Sequence, residues 1–331
     1  MFVKSPENQD DERGVVKGST VSANLDDDLR KRLLAARLPS LPAVAIQLLG
    51  LARSASANIA QLAEIVANDP AISAALVHMA NSAAYRRIRP AQTLTQATSY
   101  LGFERSRAIA LSATLIPALR GSDKRGLCYK AVWRRSLLAG GCARAICRRL
   151  LPADTEEVFL ATVLQDIGIL ALAQADEGVY AGMSCEDYTH AEAVRRERSA
   201  LKEDHAAVGA WLLEQWGFPD RFVRAVRISN NPALARAVMD EVDFNNAVVA
   251  AGLLADLWMQ VGRHPELNVY KYDLCKLLNL DWERVVTVLA EAASELPLVE
   301  ALCDVRLDDV ANIQLALKSL RESLEPETDS G

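Results

Sequence analysis

Short amphipathic segments, each bounded by a capping residue or a proline, recur along this chain of 331 residues. Asn58 precedes one segment and Asp69-Pro70 precedes another, because Asn and Asp cap free backbone N–H groups and proline fits a first helical turn. Gly102 closes a third segment. No segment shows the alternation of apolar and polar residues that is typical of a half-buried strand. With half of its residues apolar and only 5% aromatic, the chain is predicted to be all-α.

The chain divides into five regions by composition. Residues 1–28 and 322–331 are polar and are predicted to be disordered tails, the first of them acidic. Residues 38–119 are predicted to form an N-terminal helical subdomain, and residues 128–231 a second bundle. Residues 232–321 are predicted to form a C-terminal helical extension that completes the second bundle or serves as a partner-specific cap.

The second bundle is predicted to centre on two long helices. One runs from Cys128 to Leu151 and stops at Pro152, and the other begins at Asp154 or Thr155 and extends through Leu170. Further predicted helices start at His205 and after Gly217. In the extension, helices are predicted over Phe244 to Val261, Trp282 to Ser294 and Asp308 to Leu324.

Several features bear on the compartment. The longest apolar runs, Ala108 to Leu119 and Ala247 to Leu257, are shorter than the ~20 residues of a membrane span. The first ten residues lack the apolar core of a signal peptide. The six cysteines contain no Cys-x-x-Cys pair, so we expect reduced thiols rather than a zinc or redox motif. These features predict a cytoplasmic protein.

The charge is distributed unevenly along the chain. The net charge of −6 argues against general nucleic-acid binding. However, residues 86–149 carry 14 Lys or Arg and only two acids, Glu104 and Asp123. Such a stretch is either a set of solvated helix faces or a surface for a small anion or an acidic partner. The candidate residues of that surface are Arg134, Arg144, Arg148 and Arg149.

Seven short segments between residues 38 and 231 together form a recognisable ordered pattern. The segments are Leu38-Pro39-Ser40-Leu41-Pro42, Asn68-Asp69-Pro70, Ala80-Asn81-Ser82-Ala83, Tyr100-Leu101-Gly102, Leu164-Gln165-Asp166-Ile167-Gly168, His205-Ala206-Ala207-Val208-Gly209 and Trp216-Gly217-Phe218-Pro219. In this order they resemble the HDOD (HD-related output domain) family of bacterial signalling modules. Together they are far more specific than any one of them.

The resemblance implies an HD-like helical bundle related to metal phosphohydrolases, whose histidines and aspartates hold divalent metals that activate water. Most of those ligands are replaced here: Arg135 stands at the first His, Gln165 at the His of the His-Asp pair, and Asn230 within the final pair of histidines. Asp166 and His205 remain. A guanidinium repels a divalent ion and an amide oxygen is a weak substitute for imidazole, so we expect a degenerate site without metal.

The degenerate site leads to a structural prediction. Arg135 is expected to pair with Asp166, with His205 hydrogen-bonded nearby, so that an ion pair joins the two central helices. A small-ligand pocket that attracts an anion through Arg134 or Arg135 is the alternative. His190 lies in a polar context and is expected to be exposed.

The resemblance implies a non-catalytic regulatory or adaptor protein of bacterial signal transduction. Such a protein binds signalling proteins, and on the alternative above also a small anion, without a catalytic residue, metal or cofactor. Two other functions stay open: a metal-dependent phosphohydrolase with atypical ligands, and a nucleotide or nucleic-acid binder that uses residues 86–149. Metal analysis tests the first, and salt-dependent binding tests the second.

Overall fold

A computed structural model describes residues 25–303 and 318, without residues 37, 39, 55, 86, 120–127, 177, 184–187, 237–241 and 261–266. The described residues form helices joined by turns and loops, with no strand among them. The predicted all-α class is therefore confirmed.

The helices of the N-terminal half are short and capped. They are α1 (Asp27–Ala35), α2 (Ala43–Ala52), α3 (Ile59–Ala67), α4 (Pro70–Asn81), α5 (Leu94–Leu101) and α6 (Phe103–Leu119). The Asn58 side chain accepts hydrogen bonds from the N–H groups of Ala60 and Gln61 in a capping box. At the start of α4 the Asp69 side chain accepts from the N–H groups of Ala71 and Ile72. Gly102 ends α5 with φ of +82°, a conformation that glycine adopts without strain.

The second half contains the longer helices. They are α7 (Tyr129–Leu150), α8 (Thr155–Leu164), α9 (Ile167–Ala175), α10 (His190–Leu201), α11 (His205–Gln215), α12 (Asp220–Ile228), α13 (Pro232–Arg236), α14 (Phe244–Met259), α15 (Leu267–Leu278) and α16 (Trp282–Cys303). The predicted single helix from residue 154 or 155 to Leu170 is instead two helices, because the chain turns at Gln165 and Asp166.

Helix α7 is the centre of the core. It packs against α8, α14 and α16 and is buried on nearly every side from Ala131 to Cys147. Two glycines allow this close approach: a Cβ at Gly140 would lie 2.7 Å from the Phe159 ring, and one at Gly141 would lie 2.9 Å from Leu296. The C-terminal helices α14 and α16 therefore complete the bundle around α7.

Helix α1 begins inside the predicted disordered tail. Leu29 and Leu33 bury its apolar face against α9, and Arg32 pairs with Asp176. The chain is thus ordered from a point before residue 28, since these contacts hold the helix in place. Residues 1–24, the tail at 322–331 and the predicted helix from Asp308 to Leu324, apart from Lys318, lie outside the described residues.

The structure changes two expectations, one about the length of the apolar segments and one about the cysteines being reduced. The described residues contain one stretch, Thr155–Ala175, that is long and apolar enough to cross a membrane, and 89% of its most apolar part is buried inside the protein. Cys128 is disulfide-bonded, so the expectation of six reduced cysteines is wrong for that residue. Cys142, Cys147, Cys275 and Cys303 are free thiols.

Candidate functional site around a buried arginine

Arg135 lies between two carboxylates in the core. Its Nη1 donates to both oxygens of Asp166 at 2.8 and 2.7 Å, and its Nε and Nη2 donate to Asp256 at 2.7 and 3.0 Å. Arg135 comes from α7, Asp166 from the turn between α8 and α9, and Asp256 from α14. All three side chains are at least 92% buried. The arginine therefore joins three segments of the bundle through charge-assisted bonds.

The hydrogen-bonding capacity of Arg135 is fully used. A guanidinium has five N–H groups. Four point at Asp166 and Asp256, and Nη2 also lies 3.5 Å from the Gly252 carbonyl. Gly252 permits this geometry, because a Cβ there would lie 3.2 Å from Nη2 and 3.0 Å from the Gln165 Oε1. No donor of Arg135 is left for an added anion.

Two histidines extend the cluster. His205 Nδ1 lies 2.7 Å from the Glu197 carboxylate, and its Nε2 lies 3.1 Å from His190 Nε2. His190 Nδ1 in turn lies 3.4 Å from Asp256. His205 Nε2 also lies 3.5 Å from Asp166. The contacts close a ring of buried polar groups, and such rings stabilise only when every member has a partner.

The electrostatics follow from burial and pairing. Burial alone would raise the pKa of the Asp166 carboxyl, but Arg135 and the histidines hold it well below its usual range. Burial would also raise the pKa of the Asp256 carboxyl, but Arg135, again the main charged partner, lowers that pKa to about 2. Burial alone would lower the pKa of His205, yet Glu197 and Asp166 raise it to about 10. At neutral pH the cluster therefore contains charged Arg135, Asp166, Asp256 and His205.

The structure brings the residues predicted from motif position to one place. Arg135 pairs with Asp166, His205 lies against Asp166, and the Asn230 amide nitrogen lies 3.1 Å from His205 Nε2. Gln165 is adjacent and buried, and its Nε2 has no hydrogen-bond partner among the described residues. The geometric prediction of an Arg135–Asp166 ion pair therefore agrees with the observed contact.

Three members of the cluster were missed: His190, Glu197 and Asp256. His190 is 8% exposed, which corrects its expected exposure. On α10 the buried positions are His190, Ala193, Glu197 and Leu201, a helical stripe that was hidden because two of its members are polar. Asp256 interrupts the apolar α14, and a lone acid in a buried helix is the signal that could have pointed to it.

A family model of the HDOD domain matches residues 38–232. The chain belongs to the HDOD domain family. Among proteins of curated function, none is significantly similar to it.

Solved structures share the HDOD fold. An HDOD domain protein of unknown function from Geobacter sulfurreducens is 20% identical, with a TM-score of 0.61 over 83% of this chain and 96% of that one. A candidate signal transduction protein from Marinobacter aquaeolei is 22% identical, with a TM-score of 0.57 over 86% of this chain and 68% of that one. A candidate phosphohydrolase from Shewanella amazonensis is 20% identical, with a TM-score of 0.56 over 89% and 98%.

The resemblance implies a relation to HD phosphohydrolases, which hold divalent metals with histidines and aspartates. Ligand atoms of Asp166, His190 and His205 lie within 4.8 Å of one another, and all three residues are buried. However, both oxygens of Asp166 accept from a permanently charged guanidinium, and the two imidazoles contact each other through Nε2. A divalent ion bound there would lie beside the arginine charge. The residues present do not fit a divalent metal.

The predicted anion surface of the HDOD bundle does not form as expected. Arg144 is 1% exposed, because α7 is enclosed by its neighbours, and it pairs with Glu156 at 2.6 Å and Glu295 at 3.0 Å. Arg148 and Arg149 are partly exposed but pair with Glu295 and Glu291. Arg134 is half-buried. Arg144 therefore cannot be a surface residue.

The same pairing divides the basic stretch at residues 86–149. Arg107 is also buried, and its Nη2 donates to Glu157 at 3.0 Å. Arg107, Arg135 and Arg144 thus face acids from outside the stretch rather than solvent. The excess of arginine in the sequence therefore serves partly to neutralise buried carboxylates.

Proposed function

We propose that this chain is a non-catalytic regulatory protein of bacterial signal transduction that acts by binding other proteins. One observation carries the proposal: Arg135 donates to both oxygens of Asp166 and to Asp256 where a hydrolase would need metal ligands. Metal-assisted hydrolysis requires carboxylates and neutral imidazoles that converge on an open metal position. An arginine at that point supplies charge balance but no activated water.

The proposal includes a cytoplasmic location and signalling proteins as partners. The resemblance of this chain to the HDOD family of bacterial signalling modules supports both parts. One similar solved structure is described as a candidate signal transduction protein. A nucleic-acid partner is disfavoured, since Arg107, Arg135 and Arg144 are paired inside the protein. Phosphate contacts require basic side chains that reach the surface.

A metal-dependent phosphohydrolase is the second candidate, favoured by the proximity of Asp166, His190 and His205. The decisive experiment measures metal content and hydrolysis on the purified full chain. After growth with added Mn, Fe and Zn, we expect substoichiometric metal by elemental analysis and no hydrolysis of bis(p-nitrophenyl) phosphate above buffer. About one metal per chain, with activity that Asp166→Ala abolishes, would overturn the proposal.

Arg135→His is the matched variant, because it removes the permanent charge and adds an imidazole. We expect it to bind Zn²⁺ or Mn²⁺ more tightly than the parent chain in calorimetric titrations. Equal and weak binding by both chains would show that Arg135 is not what excludes metal.

The adaptor role is tested by partner capture. The tagged full chain, crosslinked in its native cells, should retain a small set of proteins that an unrelated helical protein of equal net charge does not retain. Reciprocal capture with each candidate is the expected confirmation. Recovery of the same proteins by both baits would contradict the role.

A further inference from the structure

A cavity of about 520 Å³ opens beside the Arg135 cluster. Its floor includes Arg135, His190 and Asp256, and its mouth is bordered by Arg195 and Arg198 of α10. This volume is in the range of sites that enclose a small organic molecule. The cavity therefore lies next to the former metal position and shares Arg135, His190 and Asp256 with the cluster.

The floor of the cavity offers no free cationic donor. All N–H groups of Arg135 are directed at Asp166, Asp256 and Gly252. His190 contacts Asp256 and His205 through its two ring nitrogens. A negatively charged group that entered as far as the floor would meet the Asp256 carboxylate, so an anion must bind nearer the mouth.

The mouth does offer cationic donors. The Arg195 side chain is 75% exposed and the Arg198 side chain 50% exposed. Arg195 uses Nε and Nη2 on Glu192, and Arg198 uses Nε and Nη2 on Asp204. Among the described residues the Nη1 group of each has no partner. Two guanidinium groups with free donors on one helix can hold an acidic group bidentately.

Part of the wall between floor and mouth is apolar. Val194 from α10, Leu253 from α14 and Val269 from α15 line the cavity. Val269 is 55% exposed and Leu253 and Val194 are half-buried, so an apolar body inserted there would remove hydrocarbon surface from water. The lining is amphipathic, because it also includes the polar residues Ser229, Asn230, Tyr270 and Asp273.

We propose that this cavity binds a small organic anion, with its acidic group on Arg195 and Arg198 and its apolar body against Val194, Leu253 and Val269. Carboxylate, sulfonate and phosphate share this recognition chemistry. The inference rests on the proposed non-catalytic role, because it makes the bound molecule an input to signalling rather than a substrate.

The test uses the aromatic sulfonate 1-anilinonaphthalene-8-sulfonate on the full chain. Its fluorescence rises when it enters an apolar site. We expect one saturable site, with affinity reduced about tenfold in Arg195→Ala and in Arg198→Ala, since a charge-assisted bond contributes about 1.4 kcal/mol or more. Val194→Trp, which fills the cavity, should abolish the signal.

Matched controls separate this site from general charge or loose structure. Arg196→Ala removes the same charge beside Arg195, from a side chain that shares Glu192 but does not line this cavity, and should change affinity less than twofold. The neutral analogue N-phenyl-1-naphthylamine should bind more weakly than the sulfonate, and inorganic sulfate should not compete at equal concentration. Urea unfolding of each variant checks that the fold is intact.

Different results would overturn the proposed binding site and the proposed non-catalytic role. Unchanged binding in Arg195→Ala, Arg198→Ala and Val194→Trp would mean that the probe sits elsewhere, and no saturable binding would equally overturn the site. Neither result touches the metal and hydrolysis assays. Conversely, phosphodiester hydrolysis by the parent chain would overturn the non-catalytic role whatever the probe shows.

Discussion

At the residue scale, Arg135 neutralises two buried carboxylates at once, and this sets the effect of removing it. Arg135→Met leaves the buried carboxylates of Asp166 and Asp256 without their main partner. We expect a loss of roughly 3–5 kcal/mol in the free energy of unfolding, measured in urea. Adding Asp166→Leu should recover part of that loss, because one unpaired charge disappears.

The matched control is the exposed pair of Arg149 and Glu291, whose side chains are 42% and 44% exposed. Double-mutant cycles on the two pairs compare a buried with an exposed interaction. The buried pair should give a coupling energy well above ~0.5 kcal/mol, and the exposed pair one of about 0.2–1 kcal/mol at most. Additive effects at Arg135 and Asp166 would contradict the described contact.

His205 leads to a prediction about pH. Its folded-state pKa of about 10 exceeds the ordinary value of 6.5, since Glu197 and Asp166 outweigh the effect of burial. The raised pKa stabilises the fold fully below pH 6.5, and that contribution is lost as pH rises towards 10. Relative to His205→Gln, the parent chain should lose stability over this window by at most about 1.4 kcal/mol per pH unit.

Urea unfolding of both chains at several pH values measures that difference. If His205→Gln does not fold, NMR titration of the parent imidazoles gives the same information directly. A His205 resonance that titrates near pH 6.5 would contradict the raised pKa.

The sequence predicted part of this cluster for a clear reason. Arg135, Asp166 and His205 occupy motif positions, and a buried acid next to a motif arginine has one obvious partner. Asp256 and His190 come from α14 and α10, outside any paired motif, and only tertiary packing brings them to Arg135. The sequence marks Asp256 as a lone acid in an apolar helix, but it does not identify Arg135 as its partner.

At the scale of elements, the close packing of α9 on α11 depends on Gly168. A Cβ there would lie 2.0 Å from the His205 carbonyl oxygen and 2.7 Å from the Gly209 nitrogen, both of them backbone atoms of α11. Backbone atoms cannot move aside as a flexible side chain can. Gly168→Ala should therefore lower the free energy of unfolding by about 1–3 kcal/mol or more, as overpacked sites do.

Gly50 in α2 is the control, because a Cβ there meets nothing within 4 Å. Gly50→Ala should be neutral or stabilise by up to about 1 kcal/mol through helix propensity. Thermal and urea unfolding of the two variants measure the contrast. Equal effects would mean that α9 and α11 are not in close contact at Gly168.

Helix prediction succeeded where local chemistry determines an end. Asn58, Asp69 and Gly102 mark boundaries because they satisfy backbone groups within their own segments. The break at Gln165 and Asp166 was missed because both flanking segments are apolar and no proline or glycine stands at the turn itself. Helix α1 was missed because its short stripe, Leu29 and Leu33, lies in an acidic stretch that resembles a tail.

At the scale of the whole molecule, buried ion pairs join the two halves. Glu156 on α8 accepts from Arg144 at 2.6 Å and from the Tyr85 hydroxyl at 2.7 Å, while Glu157 accepts from Arg107 of α6. Arg144 was predicted to be exposed because a basic residue usually is. Its neighbours Leu137 to Ala143 are apolar or small around the whole helix, which is the pattern of a buried helix.

The family match ends at residue 232, but the bundle does not. Helices α14 and α16 supply Asp256 and Glu295 to Arg135 and Arg144, and they cover α7 with fully buried side chains such as Val248 and Leu289. Each such side chain contributes about 1.5–3 kcal/mol, so removing the two helices costs more than the ~5–15 kcal/mol stability of a typical domain.

A fragment that ends at residue 232 should therefore retain helical circular dichroism at most in part and should show no cooperative urea transition. The full chain carrying Asp256→Asn and Glu295→Gln is the control, because it loses both acid partners and keeps both helices. We expect that variant to unfold cooperatively with reduced stability, since its apolar packing on α7 remains. A cooperative transition in the fragment, near the midpoint of the full chain, would mean that the C-terminal helices are a separable cap rather than part of the core.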